Sequence, residues 1–253
     1  MAGHSVWKNM KHRKARSDAK RGKIWSKCAR AIIVAARHGG GDVATNLALR
    51  YAVDDAKAAN MPKDTIQNAI KKGTGELKSD HYEAAIYEGY GPGGVAVIME
   101  ILTDKRNRTA GELKLIFQKH GGNLAGAGSV AYLFEPQGQV LVPRVDPRAG
   151  EVSEDAVTAA VLDAGAQDVA LEGEHWMVRC PMGAFIAVRS AVEAAGLTVE
   201  SAQLAMAPQT TVACSVEDAR AVLALLEAVE EHDDVQKVYS NADIPNSVLA
   251  EMA

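Results

Sequence analysis

The chain has 253 residues, 47% hydrophobic but only 5% aromatic, and a formal net charge of −4. That length supports a sizeable core and two or three domains, packed mainly from Ala, Val, Leu and Ile. No run approaches the ~18 apolar residues of a membrane span, and no apolar stretch follows the basic N-terminus as in a secretory signal. The three scattered cysteines, Cys28, Cys180 and Cys214, fit neither a disulfide framework nor a zinc site. A reducing compartment follows, with cytoplasm expected. The Arg- and Lys-rich N-terminus leaves organelle targeting open.

The small net charge hides a strong polarity. The first 37 residues carry eleven Lys and Arg against the single acid Asp18. Over residues 1–78 there are 17 basic and 6 acidic residues, +11; residues 79–253 hold 11 basic and 26 acidic, −15. Concentrated positive potential is where a polyanion docks and releases counterions, and the acidic remainder repels it. A nucleic-acid-binding head on an acidic body is expected.

In chain order, residues 1–16 have no apolar period and read as an extended cationic tail. From Asp18 to His38 a helical stripe appears at Ile24, Cys28, Ala31, Ile32 and Ala35, ended by Gly39-Gly-Gly41. A second helix is predicted over 44–59, with Leu49, Ala52, Val53 and Ala56 inward. A third begins at Pro62, buries Ile66, Ala69 and Ile70, and stops at Gly73. Strands follow at 82–88 and 95–102, then a helix at 106–119 and a strand at 129–134. Residues 139–206 spell strand, helix, strand, strand, helix, strand, a ferredoxin-like βαββαβ unit with Gly173-Glu174 as its hairpin turn. The flanks, completed by strand 209–214, helix 216–231 and strand 235–240, suggest a second such unit. The expected fold is therefore α+β and multidomain: a three-helix domain (1–77), then two ferredoxin-like α/β domains. One comprises 78–137 plus 208–253, and the other, 138–207, is inserted into it.

Several motifs carry less than they promise. Gly89, Gly91 and Gly94 match G-x-G-x-x-G, but the next residues read as strand, so no helix N-terminus meets a phosphate. The seven histidines show no metalloprotease spacing, and the acidic pairs fall on solvated faces. Neither an enzyme, a cofactor, a metal site nor a small-molecule substrate is expected. The binding candidates are Lys8, Lys11, His12, Arg13, Lys14, Lys20, Arg21, Lys23, Lys27 and Arg30, with Trp7 and Trp25 available to stack on bases. A secondary candidate is Arg106, Asn107 and Arg108 at a helix start, where phosphate binding and plain capping by Thr103 or Asp104 are both open. No recognition helix bearing Arg, Asn or Gln for base edges is apparent.

Longer motifs then become recognisable: Met1-Ala-Gly-His-Ser5 with Trp7, His12-Arg-Lys14, Asp18-Ala-Lys-Arg-Gly-Lys23, Gly39-Gly-Gly-Asp42, Asn60-Met-Pro62, Tyr87-Glu-Gly-Tyr-Gly-Pro-Gly-Gly94, Asp104 with Asn107-Arg-Thr109, Gly121-Gly-Asn-Leu124 and Gly128-Ser-Val-Ala-Tyr-Leu-Phe134. Across essentially the whole chain these resemble the YebC/PmpR family, although Val6 stands where Lys is usual. The resemblance implies a cytoplasmic three-domain protein without catalytic residues that regulates gene expression through nucleic acid. The family carries the label of DNA-binding transcriptional regulators and also includes a mitochondrial translational activator and ribosome-associated relatives. DNA and rRNA or the ribosome both stand as partners.

Overall fold

The computed structural model describes residues 18–78 and 80–252; the predicted tail at 1–16 lies outside them. Two compact units emerge. One joins the described residues up to Tyr132 with those from Thr210 onward, and the other is Leu133–Gln209.

The first unit begins with three helices. Helix α1 spans Asp18–Gly39 and buries Ile32, Ile33 and Ala36. Helix α2 spans Leu47–Ala58, three residues later than its apolar period suggests, because Asn46 caps it. The Asn46 side chain accepts from Leu49 N at 3.1 Å and donates to Ala35 O and Gly40 O at 2.8 and 2.7 Å. One amide thus closes α1 and opens α2. Helix α3 runs from Lys63 to Thr74 behind Pro62 and ends at Gly75, whose φ of 88° suits glycine. Gly73, predicted as the stop, is instead a buried helical residue. A Cβ there would lie 2.6 Å from both Ala36 Cβ and Ile33 O, so glycine sets the close crossing of α3 on α1. Ile32, Leu49, Val53, Ala56, Ile66 and Ile70 form the shared core.

Strand β1 (Glu83–Tyr90) and strand β2 (Ala96–Thr103) form an antiparallel hairpin across Pro92–Gly94, followed by α4 (Arg106–Lys119) and a short β3 (Asn123–Ala125). The strand predicted at 129–134 does not form. The Glu88 carboxylate instead takes the N–H groups of Gly128, Val130 and Ala131 at 2.6, 2.6 and 2.8 Å. Those donors are withdrawn from any ladder. Burial pushes the Glu88 carboxyl up, but these donors outweigh it and hold its pKa below the usual carboxylate value.

The second unit follows: β4 (Phe134–Pro143), the small pair β5 (Val145–Asp146) and β6 (Gly150–Glu151), α5 (Glu154–Val161), β7 (Asp168–Glu172), β8 (His175–Pro181), α6 (Phe185–Ala194) and β9 (Ser201–Pro208). Its sheet order, β7-β8-β4-β9 and wholly antiparallel, is that of a ferredoxin-like βαββαβ unit. Val140, Val142, Val157, Val161, Val178 and Phe185 are buried within it. Burial raises the Asp146 carboxyl while N–H groups of Thr198, Arg148 and Ala149 bring it down further, to about 2.

Back in the first unit come β10 (Val212–Ala213), α7 (Val216–Glu230), β11 (Val235–Ser240), β12 (Ala242–Asp243) and α8 (Asn246–Met252). The main sheet runs β11-β2-β1-β3. Segment 209–214 contributes only the two-residue β10, paired in parallel with β12 outside that sheet. The place reserved for it, beside β2 and β3, is taken by β1. The ferredoxin-like order is kept, with its third strand drawn from upstream of the first. Helices α4 and α7 bury Leu113, Phe117, Val222, Leu225 and Val229 against Val95, Val97, Met99 and Ile101.

Candidate nucleic-acid interface

Lys23, Lys27 and Arg30 recur at i, i+4 and i+7 and therefore share one face of α1. That face meets the C-terminal end of α7, where the last carbonyls lack helical partners and carry negative partial charge. Lys23 Nζ donates to Glu231 O at 3.2 Å and Lys27 Nζ to Glu230 O at 2.5 Å. The Arg30 guanidinium donates to Asp233 O and, at 3.0 Å, to Asp234 Oδ1. Arg30 also lies over the Tyr82 ring, 5.5 Å from its centroid. These three candidates are engaged with protein acceptors and hold the helices to the α/β part of their unit.

Asp234 is the centre of that junction, with its side chain only 4% exposed. Its second oxygen accepts from Arg108 at 2.9 Å and from Thr109 Oγ1 at 2.7 Å. Burial pushes the Asp234 carboxyl up, yet the Thr109 and Arg108 donors prevail and keep it below the ordinary aspartate value. Arg108 is held further by Asp104 at 2.7 Å. Arg106 turns the other way, donating to Ala84 O at 3.2 Å and approaching Glu83 at 3.4 Å. Asn107 is exposed between them. The secondary trio thus points in several directions, and two of its members serve carboxylates. Neither expected cap forms: Lys105 occupies the N-cap without a side-chain bond, while Thr103 Oγ1 accepts from Lys105 N.

Of the remaining candidates, Arg21 is exposed near the start of α1 and Lys20 lies in its first turn. Lys8, Lys11, His12, Arg13, Lys14 and Trp7 fall outside the described residues. The Trp25 indole N–H donates to Ala59 O at 3.0 Å, which holds that half-buried ring against the helical core rather than offering it to a base. One surface was missed from sequence. The face of α3 opposite its buried stripe presents Asp64, Gln67, Asn68 and Lys71, flanked by Lys63 and Lys72, all exposed. Its signal was the polar half of the very period used to find the helix. Among the described residues no group of three or more His, Cys, Asp or Glu could hold a metal ion, and no helix is long and apolar enough to cross a membrane.

Comparison with known proteins adds the decisive observation. Residues 5–76 match the model of the TACO1/YebC protein N-terminal domain, and residues 82–242 match that of the TACO1/YebC second and third domain. The chain belongs to the TACO1/YebC family. A relative from Rubrobacter xylanophilus, named "Probable transcriptional regulatory protein", is 53% identical with both chains covered completely. A relative from Carboxydothermus hydrogenoformans with the same name is 48% identical over 96% of this chain and 99% of its own. The crystal structure of a conserved hypothetical protein from Aquifex aeolicus superposes with a TM-score of 0.80 at 45% identity, covering 90% of this chain and 92% of that one. Family membership establishes the α+β architecture and supports a role in regulating gene expression.

Proposed function

We propose that this TACO1/YebC protein is a non-catalytic, cytoplasmic regulator of transcription that binds duplex DNA through its N-terminal part. One observation carries the reading: +11 of charge in residues 1–78 against −15 in residues 79–253. The relatives' names point the same way. Lys8, Lys11, His12, Arg13, Lys14, Lys20 and Arg21 make the phosphate contacts. Lys23, Lys27 and Arg30 secure the helices that present them. The division into 1–77, 78–137 with 208–253, and 138–207 is then one of labour: a docking head, the part that carries it and an acidic module that repels the polyanion. Crosslinking in cells followed by sequencing of the attached DNA and RNA tests this. Enrichment of DNA upstream of genes is expected. Enrichment of rRNA with no DNA signal replaces transcription by a role on the ribosome.

A further inference from the structure

We infer that the outward face of α3 is a base-reading surface that enters the major groove of duplex DNA, an inference that rests on the DNA-binding reading above. Helices α2 and α3 are joined by only four residues, Ala59 to Pro62, with Asn60 at φ 55° in the turn. Both helices bury their apolar stripes in one core with α1, which leaves the opposite face of α3 open along its whole length. At that face Gln67 and Asn68 sit side by side, and Lys63, Lys71 and Lys72 surround them. The side chains of Gln67, Asn68, Lys63 and Lys71 make no hydrogen bond or ion pair with any described residue. This differs from Lys23, Lys27, Arg30, Arg106, Arg108 and Arg220, each of which is committed to a carboxylate or carbonyl.

The residue types fix the occupant. A carboxamide offers a donor and an acceptor together, the pair that adenine N7 and N6 require, while Asp64 can accept from cytosine N4. Lysines on either side suit flanking phosphates and disfavour an apolar or cationic protein partner. An α-helix about 10–12 Å wide fits the major groove of B-DNA, about 12 Å across, whereas the deep, narrow major groove of A-form RNA excludes it. The tail cations thus supply affinity, and α3 supplies sequence preference.

The test is selection from a random library of DNA duplexes by the full chain and by a Gln67→Ala/Asn68→Ala variant. Thermal unfolding confirms that the variant folds; should it melt lower, the two single variants take its place. The parent should enrich a motif containing adenine. The variant should keep total DNA affinity within about threefold, because phosphate contacts are unchanged, and lose about tenfold or more of its preference for that motif. Enrichment of the same motif by the variant overturns the inference, as does a parent that binds duplex DNA without preference; either leaves the DNA-binding reading standing. A variant-sensitive preference for duplex RNA also overturns it. No affinity of the parent for duplex DNA removes both readings.

Discussion

Asp234 shows how one side chain can decide what a cationic helix is for. A carboxylate that is 4% exposed needs its charge satisfied, and Arg30, Arg108 and Thr109 do so from two elements far apart in sequence. Replacing Asp234 with Asn leaves both guanidiniums facing a neutral amide, and we expect a loss of about 2 kcal/mol in denaturant unfolding at pH 7. Because the folded carboxyl titrates below its unfolded value of about 4, its contribution is complete above that pH and fades as pH falls through the lower folded value. The stability gap between parent and Asp234→Asn should therefore be constant from pH 7 to about 5 and shrink as pH falls below about 4 and through the lower folded value. A gap that widens on acidification would assign the junction to other groups.

The elements divide into those written locally and those decided by distant partners. Helix α4 lies over residues 106–119 as its period indicates, and α1, β7 and β11 fall within a residue of expectation, because each repeats its own apolar spacing. The departures have non-local causes. Val130 and Ala131 are β-branched or small and read as strand, yet Glu88, some forty residues earlier, takes their N–H groups. Segment 209–214 has strand composition, but β1 already occupies its place in the sheet. Gly73 looks like punctuation, and only the approach of Ala36 and Ile33 shows it to be a packing residue. Gly73→Ala should thus destabilise the helical part by about 1–3 kcal/mol through overpacking, although alanine is the better helix former. Thermal unfolding at or above the parent's midpoint would mean that α1 and α3 tolerate a wider spacing.

Across the molecule the positive residues are not alike in what they face. Charge counting finds the basic N-terminal stretch in sequence but does not distinguish cations that face solvent from those that meet the carbonyls of residues 230–233, since that distinction needs the position of α7. The polar face of α3 lies in the same period as its buried stripe, but that it stays open is decided by how α1, α2 and α3 pack. What remains legible is polarity: residues 133–209 alone hold eleven acids against four Arg and no Lys, a composition that repels a polyanion. The most direct test measures affinity for duplex DNA at several salt concentrations, for the parent and for a variant in which Arg13, Lys14, Lys20 and Arg21 are all replaced by Glu. If about six phosphates are neutralised, the parent should show a log–log salt slope near −5, and the variant should bind about 100-fold or more weakly at ~0.1 M salt while unfolding at the same temperature. Equal affinity and an equal slope in the two proteins would contradict an N-terminal electrostatic docking head.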